Sequence, residues 1–227
     1  MSETPERVND NFDEIARVNI DTAPWHPSPL AGVERKMLDR VGGEVARATS
    51  IVRFNPGYSF SAHSHGGGEE YFVLSGVFSD ESGDYGEGYY VRNPPGSRHK
   101  PHSDQGCEIF VKLCQMKAAG EPAISVDSSK LEFEPVEGCA GLLRKVLFKA
   151  EGWAELVGIE RLEAKAGYTE TFLQGAEILL ISGELSVDGA ALSAPGWVRF
   201  PKGAAPRVEA VAPSLYWIKR GVEYPSL

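Results

Sequence analysis

Cysteine is scarce in this chain: Cys107, Cys114 and Cys139 are the only three in 227 residues, and no two form a Cys-x-x-Cys pair. That excludes a disulfide-stapled scaffold and a thiolate zinc knuckle, and it suits a reducing compartment. Long apolar runs are absent too, none approaching the roughly 18 residues needed to span a bilayer. The N-terminal Met-Ser-Glu-Thr-Pro-Glu is acidic and lacks the apolar core of a secretion signal, so the expected location is cytoplasmic. Basic charge is in short supply: 23 Lys and Arg stand against 32 Asp and Glu, for a net charge of −9 and a pI near 5.1. A nucleic-acid or anionic-membrane surface would have to be a local basic patch, and the sequence contains none. Histidine is also rare, with five residues in all and none after His102.

What the chain does contain is many short β-type runs, broken by Gly, Pro, Asn and Asp, from Val33 onward. Such a succession of short strands predicts a sandwich or barrel. Residues 1–22 read as a polar N-terminal arm, with a short helix expected over Asn11–Val18, where Phe12, Ile15 and Val18 recur at helical spacing. The proline-rich Ala23–Pro29 reads as an ordered loop, with His26 facing solvent.

The chain also repeats itself. Gly32-Val-Glu-Arg-Lys-Met-Leu38 recurs as Gly141-Leu-Leu-Arg-Lys-Val-Leu147, and Val73-Leu-Ser-Gly76 as Leu180-Ile-Ser-Gly183. Pro94-Pro-Gly-Ser-Arg-His99 has its counterpart in Pro201-Lys-Gly-Ala-Ala-Pro206, at the same distance from the Ser-Gly turn. Two copies of one β-domain follow, over 23–118 and 135–227, with 119–134 as the linker. In the second copy the two paired histidines become Glu170 and Phe172, or Leu173 and Gly175, depending on register, and His99 becomes Pro206. That copy is expected to be structural, dimer-forming, or a closed apolar pocket.

Chemistry concentrates in Gly57-x5-His63-x-His65-x3-Glu69-x6-Gly76 and Gly88-x5-Pro94-x-Gly96-x2-His99. On an extended strand His63 and His65 face the same side, and the glycines at 66–68 let the chain turn so that Glu69 comes back toward them. Of the two adjacent acids, alternation with Tyr71 and Val73 favours Glu69 as the inward one and leaves Glu70 as a solvated or interdomain charge. Three imidazoles and a carboxylate suit zinc, ferrous iron, manganese, nickel or copper. Tyr58, Tyr71 and Arg98 flank the motifs closely enough to line a substrate pocket, and His102 is a further candidate contact. Cys107 and Cys114 read as buried free thiols.

These two motifs closely resemble those of the cupin superfamily. The resemblance implies an all-β bicupin of two jelly-roll barrels, the second a degenerate copy, with His63, His65, Glu69 and His99 as ligands of one divalent metal ion. Gly76-Val-Phe-Ser-Asp-Glu81, Asn93-Pro-Pro-Gly-Ser-Arg-His99 and Ser103-Asp-Gln-Gly-Cys107 resemble more narrowly the cupin-like domain of ChrR, a zinc-dependent anti-sigma factor. That implies zinc as the ion, a regulatory or sensor role, and an ECF-type sigma factor as partner. ChrR-type proteins hold the sigma factor with a helical His-x3-Cys-x2-Cys domain, a motif this sequence lacks. The cupin resemblance equally accommodates a metal-dependent dioxygenase acting on a small chelating substrate such as a β-diketone, and pairing into a homodimer.

Overall fold

Short β-branched and aromatic runs with turn residues between them can bury one face only by pairing side by side. In the computed structural model, which describes residues 6–43, 45–116, 122–151 and 154–222, they do so as antiparallel strands, with a single 3-10 turn at Ser128–Lys130 and no α-helix among the described residues. Two compact units result: the chain up to Asp10 with Pro24–Ser129, and Asn11–Ala23 with Lys130 onward.

Each unit is a jelly roll with the same strand order. In the first, Val33–Val41, Arg47–Phe54, Cys107–Leu113, Glu69–Asp80 and Tyr89–Asn93 are successive neighbours. In the second, the order is Leu142–Lys149, Leu156–Leu162, Arg207–Arg220, Ala176–Val187 and Gly196–Phe200. Sequence-distant strands become neighbours, as Greek-key connection requires. Inward residues form one apolar cluster per barrel, including Phe54, Tyr71, Val73, Phe78 and Ile109 in the first and Leu162, Ile178, Leu180, Tyr216 and Ile218 in the second.

The duplication runs deeper than the motifs. The Trp25 ring meets the cations of Lys36 and Arg53, and the Phe133 ring those of Lys145 and Arg161, each 4.0–4.9 Å from the ring centre. On the outer face of the central strands, the Tyr90 hydroxyl donates to Glu70 at 2.6 Å, just as the Trp197 indole N–H donates to Glu177 at 3.3 Å. Glu70 is therefore no solvated charge. It is 1% exposed and also lies 3.4 Å from the Arg92 guanidinium, a buried acid that survives because it is paired.

Three further expectations change. The segment expected to be helical contains the strand Ala16–Asn19, which pairs with Gly196–Phe200, while Phe12 stacks under Arg199 at 4.2 Å. Its helical spacing lost to the unpaired edge of the second barrel, which offers backbone partners an isolated helix cannot match. The linker similarly supplies Ile124–Asp127 to the edge strand Tyr89–Asn93 of the first barrel, and its residues 119–121 lie outside the described residues. The proline-rich loop includes a two-residue strand, His26–Pro27, against Val33–Val41.

Candidate metal centre

His63 lies in the short strand His63–Ser64, directly opposite His99 of Arg98–His99. His65 follows two residues later on the same side. The chain then turns through the glycines: the Gly68 amide donates to the His65 carbonyl at 3.3 Å, with Gly68 at φ +76°. Gly67 sits so close to the neighbouring strand end that a Cβ would come within 2.7 Å of the Cys114 Cα. This turn delivers Glu69, the first residue of the strand Glu69–Asp80, back to the histidines. The three imidazole centres are 4.8–5.1 Å apart, and one ligand atom from each of His63, His65, Glu69 and His99 lies within 4.8 Å of the others. His65, Glu69 and His99 are buried, and His63 is half-buried.

Hydrogen bonding decides which nitrogens face inward. The His63 Nδ1 is 2.9 Å from the Ser61 carbonyl, which can only accept, so Nδ1 carries the proton and Nε2 keeps its lone pair. His99 Nδ1 donates to Asp80 Oδ2 at 3.0 Å. The Nε2 atoms of His65 and His99 are 3.5 and 3.4 Å from the same Glu69 oxygen, and both are buried without a hydrogen-bond partner. Burial, outweighing the pull of Glu69, drives His65 below its ordinary pKa and so toward the neutral form. Burial disfavours the imidazolium at His99 as well. There the Asp80 hydrogen bond and the Glu69 and Asp80 charges overcome it and raise the pKa. A divalent cation would satisfy the orphaned nitrogens and the carboxylate together, and nitrogen and oxygen donors of this kind fit a first-row metal.

Residues 13–117 match the family model described as the ChrR Cupin-like domain. The whole chain superposes on proteins of that architecture. An oxalate decarboxylase from Lactobacillus farciminis, solved as a formate complex, aligns with a TM-score of 0.64 at 12% identity, over 92% of this chain and 87% of that one. Residues 13–117 are thus similar to the ChrR Cupin-like family, and the chain has the fold of cupin proteins. Other cupin folds superpose equally well. A bacterial pirin from Escherichia coli, in complex with nickel(II), gives a TM-score of 0.69 at 12% identity, covering 94% of this chain and 100% of that one. A protein from Nostoc punctiforme described as a candidate dioxygenase gives 0.74 at 16% identity, covering 95% and 88%. No curated protein matches the chain in sequence.

The other sequence-nominated residues scatter. Tyr58 is 42% exposed and packs its ring over Gly32, and Arg98 is exposed on the strand beside Ser64. His102 pairs through its backbone with Ser59 and Ser79 and lies outside the four-residue cluster. Tyr71 alone of the four is fully inside the barrel, in the apolar cluster below Glu69. Cys107 is buried, and burial pushes its thiol above the ordinary range, the opposite of a reactive thiolate.

Two residues that sequence reasoning missed support the ligands. Asn93 donates its amide to Glu69 Oε2 at 3.2 Å. Asp80 fixes the His99 ring. Its carboxyl is buried, which alone would raise its pKa, but bonds from His99 and the Ser82 amide hold it lower. Asp80→Asn keeps the shape and removes the charge. Metal affinity is expected to fall about tenfold with the fold intact, as read by competition with a chromophoric chelator.

The second barrel resolves the register left open by the sequence. In the first barrel His65 donates to the Ser97 carbonyl and accepts from Gly68 and Gly96. Phe172 does the same with Ala204, Gly175 and Gly203. The pair Cys114 to Gly68 likewise returns as Gly221 to Gly175. All are offset by 107 positions, as Gly76 is from Gly183. The four ligand positions therefore become Glu170, Phe172, Ala176 and Pro206, and Leu113 becomes Arg220. Where an apolar pocket is one expectation, this barrel holds charge: Arg220 grips Glu170 through two nitrogens at 2.8 Å and reaches Glu160 at 2.9 Å, while Arg144 holds Glu160 at 2.6 Å. A fixed guanidinium is paired with Glu170, the counterpart of His63.

Proposed function

We propose that the protein is a mononuclear metal-binding cupin of ChrR type, a regulatory or sensor module in which His63, His65, Glu69 and His99 hold one divalent ion, zinc first among the candidates. The observation that carries this reading is the convergence of four ligand atoms, two of them buried nitrogens with no other partner. When bound, the ion supplies a Lewis-acid centre that polarises an oxygen donor. The protein's own groups do the rest. Asp80 and the Ser61 carbonyl lock two imidazoles in the tautomer that presents a lone pair, and Asn93 orients Glu69. A small molecule or oxidant changing the occupancy of this site would be read by a protein partner, for which an ECF-type sigma factor is the first candidate. A cytoplasmic setting and a homodimer belong to the same reading.

The second reading is a metal-dependent dioxygenase for a small chelating substrate such as a β-diketone. It is favoured by the half-buried His63, which leaves the cluster approachable from one side, whereas its three companions are closed in. Elemental analysis of untagged protein separates the two readings. Stoichiometric zinc, no oxygen uptake on a β-diketone panel and co-purification of a sigma factor support the regulator. Iron with substrate-dependent oxygen uptake supports the enzyme. Metal-free protein whose melting temperature ignores every divalent ion would refute both.

A further inference from the structure

Tyr71 follows Glu69 by two residues on one strand and shares its inward face. It is 1% exposed, and its hydroxyl is buried with no hydrogen-bond partner. Buried phenols ordinarily find a partner, because an unmade bond leaves the desolvation cost of the hydroxyl uncompensated. Phe78 packs on the ring at 4.6 Å and Tyr85 meets it edge-on at 6.2 Å. Phe78 in turn lies 6.1 Å from His99, so the phenol sits one layer beneath the ligand cluster. The nearby acids are engaged elsewhere: Glu69 accepts from Asn93 and faces the imidazoles, and Asp80 accepts from His99 and Ser82.

The second barrel provides an internal control. The counterpart of Tyr71 there is Ile178, fully buried in the apolar core. The fold thus accepts an aliphatic side chain at this position, and the phenol occurs in the copy that has the ligand set.

We propose that the Tyr71 hydroxyl is the hydrogen-bond donor to a small carboxylate-type ligand bound within the first barrel beside His63, His65, Glu69 and His99. The inference rests on the metal-binding reading above. The ring, clamped by Phe78 and Tyr85, is held in place before the ligand arrives, so little ordering accompanies binding. A phenol O–H discriminates for ligands offering an accepting oxygen and against apolar ones of the same size.

The test uses Tyr71→Phe in the full chain, with formate as the probe. Metal stoichiometry is measured first in both proteins and is expected to be equal; a metal-free wild type would overturn the metal reading and this inference with it. Formate affinity of the metal-loaded variant, by titration calorimetry, is expected to fall about five- to tenfold, as for one lost hydrogen bond. The melting temperature of the metal-free variant is expected to stay level or rise, because the hydroxyl removed has no protein partner. Equal formate affinity in the two proteins, or no formate binding to loaded wild type, refutes the inference. So does a metal-free variant that melts well below wild type, since the hydroxyl would then serve packing.

Discussion

His99→Ala is expected to abolish stoichiometric metal binding, and His63→Ala to do the same, while His26→Ala leaves it unchanged. His99 supplies one of four donors and the only one tied to Asp80. Even outer partners of ligands are worth roughly 10–100-fold in affinity, so losing a donor from a four-residue site should cost more than about a hundredfold. His26 lies in the His26–Pro27 strand, outside the cluster. Dialysis against metal buffer followed by elemental analysis reads all three variants. Equal loss in all three would show that the measured ion was surface-bound, and full retention in His99→Ala would remove that residue from the site. Because the cluster without metal leaves buried nitrogens unpartnered, His99→Ala is expected to melt near the metal-free wild type and to gain nothing from added metal.

Arg220→Met is expected to destabilise the protein by about 3–5 kcal/mol, the usual consequence of stripping one member from a buried ion network. The side chain is 11% exposed, while Glu160, which it faces, is fully buried. Burial alone would push the Glu160 carboxyl above its ordinary value; Arg220 and Arg144 together overcome that and hold it below. A carboxyl depressed by folding stabilises the native state above its unfolded value, near 4.5, and loses that contribution as pH falls through the lower folded value. Arg220→Met relieves the depression, so acid unfolding should begin at higher pH than in wild type. Circular dichroism against pH and temperature measures both effects. A variant as stable as wild type from pH 3 to 8 would mean that the network is incidental and that Met simply fills the space. The expected loss is independent of metal, since the second barrel has Ala176, Phe172 and Pro206 where ligands would be. The second barrel thus has a cation built into the chain, Arg220, held by Glu160 and Glu170.

Asp80 shows where reading alternation along a strand breaks down. Counting by twos from Glu69 puts Tyr71 and Val73 inward and Asp80 outward. The pairing with Cys107–Leu113 shifts at Glu108/Ile109, where Ser75 and Val73 face successive residues, so one extra residue enters the strand. A bulge of this kind reverses which parity faces the core. Beyond it Phe78 and Asp80 point in, and Asp80 meets His99. Glu70 fails for a related reason. Alternation correctly puts it opposite Glu69, but whether that opposite face is wet or buried depends on what covers the sheet, and Tyr90 and Arg92 arrive from a neighbouring strand.

By itself the sequence determined the β architecture and its duplication, and it nominated the four residues that the fold brings together. Each of these depends on local spacing: period-two alternation, repeated turn residues, and histidines two positions apart beside a glycine turn. Tertiary structure alone decided the rest. It carried the arm Ala16–Asn19 to the second barrel's edge, set the bulge that turns Asp80 inward, and brought Arg220 against Glu160 and Glu170. Those outcomes depend on which strands become neighbours across long stretches of chain, and edge pairing and ion pairing act only once distant segments have met.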